Sequence, residues 1–120
     1  MNERQNPLKE KSFQFAISIV KNYRSLFDHK KEFVLSKQLL RSGTSVGANI
    51  REAQNAESKS DFIHKLSIAQ KECDETLYWL ELLYLSGYFE IDNYQIIHKE
   101  ATEILKILRS SILTTRKNNL

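Results

Sequence analysis

Residues 62–83 carry apolar or small side chains at alternating intervals of four and three residues. The series runs Phe62, Leu66, Ala69, Cys73, Thr76, Leu80 and Leu83. This spacing follows the 3.6-residue turn of an α-helix, so all of these side chains lie along one side of it. Such a seam is typical of helices that pack at shallow crossing angles in bundles. The chain is therefore expected to be built from long helices rather than from strands.

Three further segments show helical spacing, and short polar breaks separate them. We predict helices over about 7–28, 32–56, 59–86 and 92–114. Asn6-Pro7 is a typical helix start, and Gly87 is a typical stop in the left-handed conformation. One proline and three glycines in 120 residues argue against a loop-rich or all-β fold. Because short links join antiparallel neighbours, we predict an all-α, antiparallel up-down-up-down four-helix bundle that spans residues 1–120 as one domain.

Two of the three glycines lie four residues apart in the stretch LLRSGTSVGANIREA, residues 39–53. A phosphate-binding loop of the P-loop type needs a lysine after its last glycine, but Ala48 follows Gly47 and no strand precedes it. Helical spacing instead continues through Leu39, Gly43, Val46, Ile50 and Ala53. Each glycine costs about 1 kcal/mol in an isolated helix relative to alanine, a cost that is acceptable where another helix must come close. We interpret Gly43, Gly47 and Asn49 as helix-packing or assembly residues, and we expect Asn49 to bond to a neighbouring backbone.

The first helix has a predicted core stripe and further apolar residues beside it. The stripe consists of Phe13, Ala16, Ile17, Val20, Tyr23 and Phe27. Phe15 and Ile19 on this helix, and Leu82 and Leu85 on the third, lie off the main seams. Two interpretations remain open: a wide core, or a second buried face against another subunit.

Charge is unevenly distributed along the chain, although the net charge is only +3. Residues 9–51 carry nine Lys or Arg and three acids, residues 52–103 carry four Lys and eleven acids, and residues 104–120 carry four bases and no acid. This division suits a polyanionic partner or self-association of unlike faces; an accidental imbalance on solvated faces is the third interpretation. Phosphate contacts from Lys and Arg give affinity with little sequence selectivity. The candidate nucleic-acid-binding residues are Lys21, Arg24, Lys30, Lys31, Lys37, Arg41, Arg51, Arg116 and Lys117.

Little in the chain suggests catalysis or metal binding. Asp61 and His64 are the nearest match to the Glu-x-x-His motif of di-metal bundles. The motif occurs only once, and both side chains are expected to point away from the seam. Arg24 and His29 show the Arg–four-residue–His spacing of some small helical ribonucleases, in which His is the general base; a surface His beside two lysines is the favoured interpretation. The lone Cys73 can form no internal disulfide and is expected in the core. We therefore expect no catalytic site, no cofactor and no metal.

The sequence also bears on the compartment in which the protein works. No apolar run approaches the ~18 residues that a membrane-spanning helix needs. The N-terminal stretch MNERQNPLKEKSFQ is polar and lacks the apolar core of a signal peptide. We expect a cytoplasmic protein without membrane contact.

Two stretches, LSKQLLRSGTSVGANIREA and SDFIHKLSIAQKECDETLYWLELL, carry a resemblance that runs from about residue 10 to 113. They resemble the bacterial four helix bundle proteins encoded inside intervening sequences of 23S ribosomal RNA genes and, more distantly, the accessory protein of diversity-generating retroelements. The residues that match the family pattern on the second helix are Leu35, Gln38, Leu39, Arg41, Ser45, Val46, Asn49, Ile50 and Glu52. Ala53 and Gly47 depart from it, since many members have Gly and Pro at these positions.

This resemblance implies a four-helix bundle that assembles into a homopentamer, with a basic surface suggested to bind RNA or DNA. It supplies no catalytic residues. We accordingly predict a non-enzymatic, oligomeric protein that binds RNA or DNA through shape and charge. The alternatives are a structural or protein-interaction assembly module that binds no nucleic acid and, third, a metal-independent ribonuclease.

Overall fold

Four helices joined by short loops make up the protein, which is described by a computed structural model over residues 6–118. The helices are α1 (Pro7–Asp28), α2 (Leu35–Ala53), α3 (Lys59–Leu85) and α4 (Ile91–Lys117). No strand occurs within residues 6–118, and the molecule measures 51 × 24 × 20 Å. α2 is shorter at both ends than the predicted 32–56, and α4 extends beyond the predicted 92–114.

Each helix runs antiparallel to the next and packs against it, and α4 closes the bundle against α1. Three polar contacts each join the beginning of one helix to the end of another: Asn6 to Gln54, Lys65 to Glu52, and Asn93 to Asn22. The least extensive of the four helix contacts is the one between α1 and α4. This arrangement confirms the predicted all-α up-down-up-down bundle.

The helix ends follow local sequence chemistry. The Asn6 side chain accepts a hydrogen bond from the Lys9 N–H, and Pro7 occupies the first helical position of α1. Ser58 caps α3 by accepting from the Asp61 N–H. Gly87 has φ +89°, the left-handed conformation expected of a residue that ends α3.

The start of α2 differs from the prediction because Glu32 lies before the helix rather than within it. Its carboxylate accepts hydrogen bonds from the N–H groups of Val34, Leu35 and Ser36, at 3.2, 3.1 and 2.6 Å. The Ser36 hydroxyl donates back to the Glu32 carbonyl oxygen at 2.7 Å. These bonds satisfy backbone donors that a helix start leaves unpaired, and they hold Glu32 outside the helical conformation. Lys31, immediately before, has φ +56°.

The predicted core stripe of α1 is wrong. Phe13, Ile17 and Val20 are exposed, whereas Phe15 and Ile19, which the spacing placed off the seam, are 1% and 0% exposed. α1 carries apolar residues on two faces with the same helical period, so periodicity alone does not reveal which face meets the other helices. The α3 seam, by contrast, forms the core from Leu66 to Leu83 as predicted.

Both glycines of α2 lie against α1. A Cβ atom added at Gly43 would stand 2.7 Å from Ile19 Cγ1, and one added at Gly47 would stand 3.1 Å from the Ser12 carbonyl oxygen. The two helices therefore approach each other across a surface without side chains. Asn49 donates to the Ser45 carbonyl oxygen at 2.9 Å, within α2 itself.

Within the described residues 6–118, none of the helices combines the length and the hydrophobicity that a membrane span requires.

Candidate nucleic-acid and assembly surfaces

The loop between α1 and α2 holds the most prominent group of predicted phosphate contacts. Lys30 and Lys31 are exposed in the loop, and Lys37 is exposed on the first turn of α2. Among the described residues, none of the three has a carboxylate within ion-pair distance. The neighbouring carboxylate of Glu32 is buried and binds backbone N–H groups, and it forms no ion pair with these lysines. We call Lys30, Lys31 and Lys37 the loop cluster.

Arg116 and Lys117 lie at the opposite end of the bundle, on the last turn of α4, and both are exposed. Arg116 borders an open cleft of about 600 Å³ together with Ser58, Lys59 and Ser60 at the beginning of α3. No carboxylate of the described chain pairs with either residue. Two groups of unpaired cations thus lie at the two ends of the bundle.

Arg41 differs from the other candidates because its charge is already engaged. Its guanidinium bonds to the carboxylates of Glu72, at 3.2 Å, and Glu75 on α3. Glu75 also accepts a hydrogen bond from the Trp79 indole at 2.9 Å. Arg41 therefore joins α2 to the acidic face of α3, a contact that spacing in the sequence did not reveal.

Arg51, Lys21 and Arg24 lie among apolar side chains on the outside of α1 and α2. The Arg51 guanidinium stands over the Phe13 ring, 5.2 Å from its centroid, a cation–π geometry. Lys21 and Arg24 are exposed on α1 itself. Arg24 follows Val20 at helical spacing, so it falls within the row of exposed apolar residues.

That row gives α1 an apolar surface that the other helices leave largely open. It consists of Phe13, Ile17, Val20 and Phe27, which are 36–50% exposed; we call it the α1 outer face. The Phe33 ring of the following loop continues it, with its centroid 4.7 Å from that of Phe27. A groove of about 350 Å³ between Phe13 and Ala48 extends it onto α2.

α3 carries a second uncovered apolar area near its C-terminal end. Tyr78 and Leu85 are 58% and 81% exposed, and Leu82 between them is partly buried; these three residues are the α3 outer patch. Acidic residues border it. Asp74 and Glu81 are half-exposed; Asp74 lies 3.9 Å from the Arg109 guanidinium, and Glu81 lies 3.5 Å from the His98 imidazole.

The titratable groups inside the bundle are structural in character. Burial raises the pKa of the Cys73 thiol to about 12, and its Sγ donates to the Ala101 carbonyl oxygen at 3.3 Å. A thiol with such a pKa holds almost no thiolate near neutral pH, so it is a poor nucleophile. His29 and Arg24 are exposed near the end of α1. Across residues 6–118, no group of three or more His, Cys, Asp or Glu side chains is arranged to hold a metal ion.

Two carboxylates have environments that the sequence did not predict. Burial opposes the charged form of Glu32, but the hydrogen bonds from Ser36, Leu35 and Val34 outweigh it and lower the pKa. Burial between α4 and α1 raises the pKa of Glu100. Its Oε1 atom is buried with no hydrogen-bond partner among the described residues. An acid just before a helix is a weak sequence signal for the role of Glu32. No local pattern in the sequence indicates the burial of Glu100.

Known proteins place this bundle in a family. The chain matches the family described as 23S rRNA-intervening sequence protein over residues 4–110. A solved structure from Bacteroides thetaiotaomicron, described as a protein of unknown function from the S23 ribosomal protein family, is 55% identical, with a TM-score of 0.88 over 89% of this chain and 96% of that one. No curated protein matches the chain. With the match across most of its length and the shared bundle, this chain belongs to the 23S rRNA-intervening sequence protein family.

Proposed function

We propose that the protein is a non-enzymatic homo-oligomer, a homopentamer, that binds RNA or DNA through basic surfaces by shape and charge. The observation that carries this proposal is the exposure of the loop cluster without carboxylate partners among the described residues. Unpaired lysines at a protruding end of a rod-shaped molecule are free to replace the counterions of a phosphate backbone. Arg116 and Lys117 offer a second contact at the other end.

The candidate phosphate-contacting residues differ in how much of their charge is available. Arg41 is paired with two carboxylates, so less of its charge is available to a phosphate. Arg51 keeps its charge, but its guanidinium lies over the Phe13 ring at the edge of the α1 outer face. Arg24 and Lys21 border the α1 outer face and belong with assembly. The loop cluster and the α4 end are therefore the principal phosphate contacts in the proposal.

The alternative is an assembly module that binds no nucleic acid, and the α1 outer face favours it. An uncovered row of two phenylalanines, an isoleucine and a valine is unusual for a helix that faces only water. Assembly and nucleic-acid binding are compatible. The alternative differs only in assigning no partner to the loop cluster.

The test measures binding of a fluorescent structured RNA and a DNA duplex across a range of salt concentrations. The variant Lys30→Glu/Lys31→Glu is compared with Lys71→Glu/Lys99→Glu, which makes the same change in net charge on α3 and α4. We expect the parent to bind more weakly as salt rises, and the first variant to lose about two units from the slope of log affinity against log salt. The second variant should retain most of the slope.

Equal losses in the two variants would contradict a specific role for the loop cluster. Absence of binding by the parent at low salt, with an oligomer still seen by light scattering, would establish the assembly module instead. RNA cleavage that disappears in His29→Ala would support the ribonuclease and contradict the non-enzymatic proposal.

A further inference from the structure

We propose that the α1 outer face of one copy packs against the α3 outer patch of the next copy, so that the subunits associate head to tail. This inference rests on the proposed self-association and names the two surfaces that form it. Each copy would then contact one neighbour through its α1 outer face and the other neighbour through its α3 outer patch. The contact is heterologous, which yields a closed ring when the rotation between copies closes.

The position of the two surfaces within the bundle permits this arrangement. α1 packs on α2 and α4, and α3 packs on the same two helices, so α1 and α3 occupy diagonal corners. Their outward faces therefore lie on different sides of the bundle, and the α1 outer face is inclined toward α2, where the Arg51 guanidinium stands over the Phe13 ring. One copy can engage a neighbour on each side without either neighbour obstructing the other.

Two contacts define the relative height of α1 and α3 along the bundle. Gly43 on α2 lies against Ile19 of α1. The adjacent residue Ser42 has its hydroxyl 3.0 Å from that of Thr76 on α3. Ile19 and Thr76 are therefore at nearly the same level of the bundle, on opposite sides of α2.

From that level the two helices run in the same direction with the same rise, about 1.5 Å per residue. Arg24 lies five residues beyond the common level on α1, and Glu81 lies five residues beyond it on α3. Phe27 is level with the last turn of α3, which carries Leu85. In copies related by rotation about an axis parallel to the helices, Arg24 thus faces Glu81, and Phe27 faces Leu85.

Charge complements this register. The α1 outer face has Arg24 within it and Lys21 at its edge, and neither has a carboxylate partner among the described residues. The α3 outer patch is bordered by Asp74 and Glu81, whose contacts inside the subunit are long. An α1–α1 contact between two copies would bring cations together, whereas the α1–α3 contact pairs cation with anion.

The first experiment cross-links cysteines placed on the two surfaces. In a Cys73→Ala background, Phe27→Cys and Leu85→Cys are introduced singly and together, and a short bifunctional maleimide is added. We expect a ladder of covalent multimers from the double variant only, because each link needs one cysteine from each surface. All changed surface positions are exposed, and circular dichroism verifies that each variant folds.

The second experiment reverses charges, with light scattering as the readout. Arg24→Glu and Glu81→Arg should each shift the protein toward monomer, and their combination should restore assembly. Lys99→Glu, which makes the same charge change at an exposed position on α4, should leave assembly intact. Restoration by the double variant distinguishes a direct pair from two independent disturbances.

Three results would overturn the inference in distinguishable ways. A cross-linked dimer from Phe27→Cys alone would show an α1–α1 contact. An assembled double variant that forms no multimer ladder would show that other surfaces mediate assembly while self-association itself stands. A monomeric parent protein would remove the proposed self-association and this interface together.

Discussion

The two sides of α1 pack in opposite ways. Toward α2, Gly43 and Gly47 remove side chains, so that Ile19 and the Ser12 backbone approach the helix directly. Toward α4, Glu100 lies between the helices, and a cavity of about 270 Å³ opens beside it. Close helix contact leaves no space for water, whereas a partly buried carboxylate is stabilised by access to water and keeps the neighbouring helices apart. The side of α1 that faces the two glycines of α2 is therefore closely packed, and the side that faces Glu100 is loosely packed.

The largest expected loss of stability comes from adding a side chain at the closely packed contact between α1 and α2. In Gly43→Val the new Cβ would stand within 2.9 Å of three carbons of Ile19, which is fully buried, so that α1 and α2 must shift or Ile19 must repack. We expect a loss of about 2–3 kcal/mol in the free energy of unfolding, measured by urea titration. Ala48→Val, on the exposed side of α2, should cost only about 0.5 kcal/mol. Equal losses would show that α1 and α2 do not need the bare surface.

A smaller effect is expected at the loop that joins the two closely packed helices. Glu32→Gln removes the charge that accepts three backbone hydrogen bonds, and we expect a loss of about 1–2 kcal/mol at pH 7. Since the pKa of Glu32 is lowered on folding, its contribution is present above the unfolded pKa, about 4.3, and disappears as pH falls through the folded pKa.

Urea titrations of Glu32→Gln and the parent at pH 7 and at low pH therefore provide a direct check. The difference in unfolding free energy should shrink on acidification. Glu57→Gln, in the exposed loop before α3, serves as the control and should change stability by less than about 0.5 kcal/mol. A difference that persists unchanged at low pH would contradict the role given to the Glu32 carboxylate.

The smallest expected effect is a gain in stability from filling the loosely packed contact between α1 and α4. Glu100→Leu removes a buried oxygen without a partner among the described residues and fills part of the cavity, so we expect stability to rise by about 1 kcal/mol. Because burial raises the pKa of Glu100, protonation favours the folded state, and the gain should shrink as pH falls. Glu103→Leu, at the exposed rim of the same cavity, should change the melting temperature little. A loss of stability in Glu100→Leu would show that the acid is better solvated than its burial indicates.

Sequence reasoning succeeded where one apolar face dominated a helix. α3 has a single continuous seam, and all of its residues from Leu66 to Leu83 became core. α1 has two apolar faces, and the prediction selected the one that is exposed. Periodicity specifies direction around a helix axis; only the position of the other helices decides which direction is inward. The α1 face that was wrongly predicted to be core is the exposed face from which the subunit contact is inferred.

The candidate site was predictable only in outline. The excess of bases before residue 52 is visible in the sequence, and so is the exposure expected of Lys30 and Lys31 beside a break. The engagement of Arg41 with Glu72 and Glu75 depends on which turn of α3 lies beside α2. That relation arises from three-dimensional register, and no local pattern encodes it.

The carboxylate of Glu32 has a consequence for recognition at the loop cluster. A helix beginning normally attracts phosphate through its free amides and its partial positive charge. At α2 those amides already bind an anion supplied by the chain itself. Under the proposed function, a nucleic acid at this end would contact lysine ammonium groups rather than a rigid amide cradle. Its backbone could then be bound in many orientations, without contacts that read its bases.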